Sequence, residues 1–286
     1  MIYLRHILAG ILQGATELLP VASGGILSFF RSVWPAEGGL LAESALLHAG
    51  TALALILLLR KELAGVFREW FFLLEEIMEN TLIFLRNSRK AGEYEYFPLM
   101  QTNMRKFSAL LLLTMIPAGL TGYFLYPVAA GFAESPLVSA MGCFISAILL
   151  LVAALSPARS TRPREIPLLL ALPVGLLAGM CVLPGFSCLS VTVASAELCG
   201  LKRKSAVRFA MLLLIPLSLG AAVQSLRSAA PASAEILPFI AGVLAAFAVL
   251  WTVFRFERKL LRRASLGAFA GLNALAGILA VIGHIA

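Results

Sequence analysis

The stretch Gln13-Gly14-Ala15-Thr16-Glu17-Leu18-Leu19-Pro20-Val21-Ala22-Ser23-Gly24-Gly25 decides how this chain folds. It lies inside an apolar run from Ile7 to Phe30, yet it carries a carboxylate, a proline and a cluster of small residues. A carboxylate at membrane depth marks a functional position, because taking its charge out of water is costly. The proline and the small residues interrupt the run midway. Such a break suits two half-helices joined by a turn, since irregular backbone at membrane depth survives only where it lines a cavity or is buried in protein. Leu183-Pro184-Gly185-Phe186-Ser187 repeats the Leu19-Pro20-x-x-Ser23 frame, with Pro184 standing 164 residues after Pro20, inside a second apolar run from Pro167 to Leu201. Two matching broken segments point to duplicated halves around one site.

The composition sets the class. With 60% hydrophobic and 13% charged residues over 286 positions, and a mean hydropathy of +0.93, the chain carries more apolar surface than a soluble core of that size hides. It reads as an integral membrane protein. The start, Met1-Ile2-Tyr3-Leu4-Arg5-His6, has no strong basic region and no small-residue cleavage site after the next apolar stretch, so it reads as mature sequence. The formal charge of +8 sits in short clusters between apolar spans, where it sets topology and meets anionic headgroups; no nucleic-acid partner is expected. Cys143, Cys181, Cys188 and Cys199 lack a CxxC spacing and read as buried free thiols.

Uninterrupted apolar spans run from Leu40 to Leu59, Phe107 to Tyr126, Pro136 to Leu155, Ala206 to Val223, Ile236 to Phe254 and Ser265 to Ile285, which predicts six crossings. The two broken runs are expected to be re-entrant hairpins. If residues 60–106 face the cytoplasm, alternation leaves only Arg5, Arg31 and Arg227 outside, so 20 of the 23 Lys and Arg residues lie inside and both termini outside. Each half then has one hairpin and three crossings, and an odd number of crossings turns the second half upside down. The expected fold is all-α: a polytopic membrane protein of two inverted-topology repeats, each a re-entrant helical hairpin plus three transmembrane helices. A single domain covers residues 1–286, with the first repeat at 1–155 and the second at 156–286. Within the first, residues 61–106 read as an amphipathic surface helix, around Trp70, Phe71, Phe72, Leu73 and Leu74, followed by a polar loop.

Gln13 and Glu17 are four apart and share one face of a helix, where they would hold a divalent cation or position a water; alternatively Glu17 only braces a loop. Ser23, Gly24 and Gly25 open the second half-helix, and small residues there let a phosphate reach backbone N–H groups or let another helix pack closely. Ser187 takes the mirrored place, with the same two readings.

The chain resembles the bacterial undecaprenyl pyrophosphate phosphatases of the bacitracin-resistance type. The likeness covers nearly the whole length. It rests on Gln13 to Pro20, on Leu47-His48-Ala49-Gly50-Thr51 with Arg60-Lys61-Glu62, and on Thr114-Met115-Ile116-Pro117-Ala118-Gly119-Leu120-Thr121-Gly122. It continues through Leu183 to Ser187, Gly200-Leu201-Lys202 to Arg208-Phe209, and Leu214-Ile215-Pro216. The resemblance implies hydrolysis of a polyprenyl pyrophosphate lipid carrier to its monophosphate, in carrier recycling for peptidoglycan synthesis, at the outer face of a bacterial plasma membrane. It implies Mg or Ca held by Glu17 and Gln13, with Ser23 as nucleophile or phosphate-positioning group. Gly24, Gly25, Pro184, Gly185 and Ser187 would bind the substrate. The expected partners are that lipid and the membrane lipids, and a homodimer stays open. The chain also departs from the family pattern. Ile26 stands where the family has a His, Cys188 where it has an Arg, followed by Leu189 and Ser190, and Leu272-Asn273 replaces a Tyr-Arg pair. Those losses motivate an alternative: a non-hydrolytic polyprenyl-phosphate transporter or lipid-binding paralogue.

Overall fold

The computed structural model describes residues 2–35, 40–89, 94–157, 162–228, 236–263 and 265–285. Its regular elements are helices, as an all-α chain requires: α1 (Ile2–Glu17), α2 (Ser23–Val33), α3 (Leu40–Leu58), α4 (Arg60–Ser88), α5 (Asn103–Gly131), α6 (Pro136–Leu155), α7 (Ala171–Gly179), α8 (Cys188–Leu198), α9 (Arg203–Ser228), α10 (Ile236–Arg263) and α11 (Leu266–Ile285). Among the described residues, five helices are long and apolar enough to cross a membrane: α5, α6, α9, α10 and α11. The crossing expected at Leu40 to Leu59 corresponds to α3, of which Leu46–Leu58 forms a shorter apolar stretch. Of the basic residues used to orient the chain, Lys90 and Arg159 lie outside the described residues, as do the side chains of Arg258, Lys259, Arg262 and Arg263.

Both broken runs fold as helix–turn–helix pairs. α1 stops at Glu17 because Pro20 lacks an N–H and excludes helix at the residue before it. The chain turns through Leu18 to Ala22, and α2 starts at Ser23. In the second pair, α7 runs into a 3-10 turn at Met180–Val182, Leu183 is extended, and Gly185 turns the chain at φ +79° before α8. Sixteen residues make α1 about 24 Å long and eleven make α2 and α8 about 17 Å, against an apolar thickness of about 30 Å. None of these pieces spans that thickness alone.

Packing follows small residues. A methyl group on Gly10 or Gly14 of α1 would run into the backbone of Gly242 and Ala246 on α10. In the second pair, Gly175 and Gly179 of α7 meet the backbone of Thr114 and Ala118 on α5 in the same way. Helix axes come this close only where side chains are absent or tiny, and dispersion contacts then replace the hydrophobic drive that lipid does not supply. α3 packs on α9 and α6 on α11; α2 lies against α11, and α8 against α6. A core cluster including Leu55, Phe107, Leu150, Phe209, Leu213 and Leu250 fills the interior, with the Phe107 and Phe209 rings edge to face at 5.6 Å.

The insertion at residues 61–106 forms a 29-residue helix and a returning strap. Trp70 Nε1 donates to the Ser108 carbonyl at 2.8 Å and Arg105 Nε donates to Glu69 at 2.9 Å, which fixes α4 against α5. Asn80 pairs in both directions with the backbone of Phe97, and Asn87 with that of Tyr94, so the chain after α4 is tied back along it.

Gly185 is the sharpest local demand of the fold, since a Cβ there would overlap the Ser139 carbonyl as well as strain a left-handed residue. Gly185→Ala is expected to lower stability by at least about 1–2 kcal/mol. Gly271→Ala, whose Cβ enters open space, is expected to leave it unchanged. Thermal unfolding of both variants in detergent checks the contrast.

Candidate active site

The tips of the two broken pairs touch. A Cβ on Gly24 would fall 2.8 Å from the backbone nitrogen of Gly185, so the start of α2 and the second turn meet backbone to backbone. Gly142 of α6 presses on the same turn from the other side, against Pro184, Gly185 and Phe186. Asn273 of α11, fully buried, donates through Nδ2 to the Pro20 carbonyl at 2.6 Å and to the Phe269 carbonyl at 2.8 Å, and lies 3.4 Å from Ser190 Oγ. One amide thereby bridges the first turn and the first turn of α8.

Beside this junction stands Glu17, 8% exposed. Gln13 Nε2 donates to its Oε2 at 2.7 Å, one helical turn away, and Ser23 Oγ donates to the same oxygen at 3.4 Å across the turn. Both donors are neutral, and among the described residues no Lys or Arg forms an ion pair with Glu17. The carboxylate is therefore buried without a compensating cation, which is costly unless a bound cation or a proton completes it. A cavity of about 560 Å³ opens in front of it, and Gln13, Glu17, Ser23, Gly24, Pro184 and Gly185 all line its wall. The α2 end of this wall is bare. Its N-cap residue, Ala22, makes no side-chain capping bond, so the N–H groups of Ser23 and Gly24 have neither an intrahelical acceptor nor a cap, while that of Gly25 points to the Cys143 thiol. That is an anion site in its simplest form.

Two of the expected substrate residues face elsewhere. Gly25 packs toward Ala276 and Cys143. Ser187 is 4% exposed and caps α8: its Oγ accepts from Ser190 N at 3.3 Å and from Ser190 Oγ at 2.8 Å, while its own N–H donates to Ser146 Oγ at 3.0 Å. Cys188 lines the cavity, as does Cys181, and Ile26 packs on the core. Lys202 is exposed, Arg203 pairs with Glu197 at 3.1 Å, and Arg208 stacks over the Phe107 ring; none of the three reaches the cavity wall.

Residues without an expected role there do reach it, above all Arg31 of α2, His48 of α3 and Arg227 of α9. Ser23, Leu27 and Arg31 all line the wall, the i, i+4, i+8 spacing of one helix face. Glu43 holds Arg31 Nη2 at 3.4 Å, but it is already engaged by Arg5 at 3.0 Å and by His6 Nδ1 at 3.0 Å. Positive charge is thus present in the cavity, from helices other than the one that begins at Cys188.

No group of three or more His, Cys, Asp or Glu side chains that could hold a metal occurs among the described residues. An all-protein cage is therefore not built. One uncompensated carboxylate beside a phosphate-sized space does fit a hard cation that keeps waters and shares its ligands with substrate phosphate, as Mg does.

If Asn273 bridges the two turns as described, Asn273→Leu strands the Pro20 carbonyl and lowers stability by about 1–3 kcal/mol. Unfolding in detergent measures the loss.

A family described as "Bacitracin resistance protein BacA" matches residues 6–279. A protein named undecaprenyl-diphosphatase from Gemmatimonas aurantiaca is 30% identical over 276 residues, covering 96% of this chain and 95% of that one. Proteins of the same name from Geobacter metallireducens and Methanosphaera stadtmanae are 29% and 25% identical, over 94% and 98% of this chain and 93% and 97% of theirs.

Proposed function

The chain belongs to the BacA family of bacitracin resistance proteins, and from that premise we propose that it hydrolyses a polyprenyl diphosphate in the membrane, releasing phosphate and leaving the lipid monophosphate. It is an integral membrane protein, and its ligand is a lipid. The observation that carries the reading is the buried chain Gln13–Glu17–Ser23 next to the uncapped start of α2, at a cavity between two touching turns.

Each group has a role that its position supports. The free N–H groups of α2 hold the terminal phosphate, and Gly24 lets it approach the backbone. Ser23 Oγ, hydrogen-bonded to Glu17, is the attacking hydroxyl. Its proton passes to Glu17 Oε2, the new P–O bond forms at the terminal phosphorus, and the bond to the bridging oxygen breaks, so the lipid monophosphate leaves. Water then hydrolyses the phosphoserine. Gln13 fixes the rotamer of Glu17 by its 2.7 Å bond and excludes bulk solvent from it. Glu17 and Gln13 would also hold a divalent cation, Mg or Ca, which supplies neutralisation of phosphate charge when bound. Pro184 and Gly185 shape the opposite wall. Apolar residues of α5 and α9, among them Ala118, Leu214 and Leu217, provide a lining suited to the prenyl chain.

The reciprocal packing of α1 on α10 and α7 on α5, and of α2 on α11 and α8 on α6, supports two inverted repeats around this site. The cavity wall carries Arg31 and Arg227, two of the three basic residues that the positive-inside count leaves outside, which supports a site open to the outer face. Arg31 and His48 in the wall also remove the chemical motive for a non-hydrolytic protein, since cation and imidazole are present from other helices.

Phosphate release from farnesyl or undecaprenyl diphosphate by the purified chain tests the proposal. Glu17→Gln and Ser23→Ala are each expected to lose about a hundredfold or more in kcat, and Gln13→Ala about fivefold to tenfold. Chelation should abolish turnover, and added Mg or Ca should restore it. Wild-type protein that releases no phosphate with any divalent cation overturns the reading.

A further inference from the structure

The turn between α7 and α8 carries a cysteine on each flank. Cys181 lies in the 3-10 turn Met180–Val182, and Cys188 is the first residue of α8. Pro184 and Gly185 stand between them, and Gly185 reverses the chain at φ +79°. The reversal brings the Cys181 thiol within hydrogen-bonding reach of the Cys188 thiol. Both side chains line the cavity and both are half-buried, so a small solute in the cavity meets them. The other two cysteines are placed differently. Cys143 is fully buried, packed on Gly25 of α2, and Cys199 follows Cys188 by eleven residues, about 16 Å along α8.

Two thiols in contact, without a third ligand, select the chemistry. Among the described residues no group of three or more His, Cys, Asp or Glu could hold a metal, so the pair lacks the partners of a thiolate metal centre. As a hydrogen bond the contact contributes little, because a thiol is a weak donor and a weak acceptor. A close dithiol is well suited to exchange with a disulfide, since its second sulfur attacks without a diffusional encounter. One sulfur, as thiolate, attacks the oxidant; a mixed disulfide forms, the oxidant's own S–S bond breaks and one thiolate leaves. The second protein sulfur then attacks the first, and the other half of the oxidant leaves. Two protein thiols are oxidised, the oxidant is reduced to two thiols, and the two protein protons end on those leaving groups.

Closure has consequences because the turn has no slack. A disulfide holds its sulfurs about 2.05 Å apart, well inside a hydrogen-bonded contact. Gly179, two residues before Cys181, is locked against Ala118 and Thr121 of α5. Gly185 backs onto the Ser139 carbonyl, Gly142 presses on Pro184 and Phe186, and Gly24 lies against the Gly185 nitrogen. A shift of the turn therefore reaches the start of α2, where Ser23 stands. Cys181 also feels the Glu17 carboxylate, so the new bond forms beside the same site.

We propose that Cys181 and Cys188 are a redox-active dithiol in the cavity wall, closed to a disulfide by exchange with a small disulfide oxidant, and that closure slows the reaction at Glu17 and Ser23. The effect on rate rests on the phosphatase reading; the dithiol does not.

The purified full chain in detergent, equilibrated with mixtures of bis(2-hydroxyethyl) disulfide and 2-mercaptoethanol, tests both parts. Alkylation after denaturation is expected to count four thiols in the reduced chain and two in the oxidised one, with a Cys181–Cys188 cross-link in the peptide map. Cys181→Ser and Cys188→Ser should each stop at a mixed disulfide with mercaptoethanol. Phosphate release from farnesyl diphosphate by the wild-type chain is expected to fall about tenfold to a hundredfold on oxidation and to return with reductant. In either serine variant it should not respond to closure. Four free thiols at every ratio overturn the inference, as does a cross-link through Cys143 or Cys199; both results come from the wild-type chain and do not depend on a variant folding. A Cys181–Cys188 cross-link with unchanged hydrolysis overturns the control of rate. The cross-link without hydrolysis in either redox state sinks the phosphatase reading and leaves the dithiol standing.

Discussion

The rest of the structure depends on one backbone contact, where the first turn of α2 meets the turn at Gly185 with no side chain between them. A Cβ at Gly24 would push the two tips apart, one at Gly185 would strike Ser139 of α6, and Gly142 leaves the second turn no room to retreat. The small-residue crossings of α1 on α10 and α7 on α5 serve this contact, because they bring both broken pairs toward one point. Asn273 then holds the junction with a neutral hydrogen-bonded link, which avoids the desolvation cost that a buried ion pair would carry at this depth.

That junction is what makes Glu17 useful. A carboxylate with two neutral donors and no ion-pair partner is an unfavourable arrangement in an empty protein, and it persists because Gln13, the turn and the helix packing leave it no alternative position. A proton or a bound cation relieves that cost.

Much of this was readable from local pattern. The Pro20 and Pro184 interruptions announced both broken pairs, since proline removes a donor wherever the helix must continue, and the Gln13–Glu17 spacing placed both side chains on one face. The apolar spans were readable because lipid demands length and composition together. The position of Arg31 was not. It depends on how α2 is rotated against α3, α5 and α9, a tertiary fact that no window of sequence contains. Asn273 lies 253 residues from the carbonyl it serves and carried no local signal. Ser187 was the opposite case: Ser187-Cys188-Leu189-Ser190 is a capping pattern whose i to i+3 geometry could have been recognised before any ligand role was assigned.

Ser187 makes the two halves unequal. Its oxygen is committed to the helix it begins, while Ala22 leaves the matching helix end open. A twofold scaffold would otherwise present a headgroup with two equivalent docking ends and no reason to prefer either. With one end plugged from within, the assembly gains a direction, since only the α2 end is left without a side-chain cap. Sequence drift beside the plugged end then changes little so long as its shape holds.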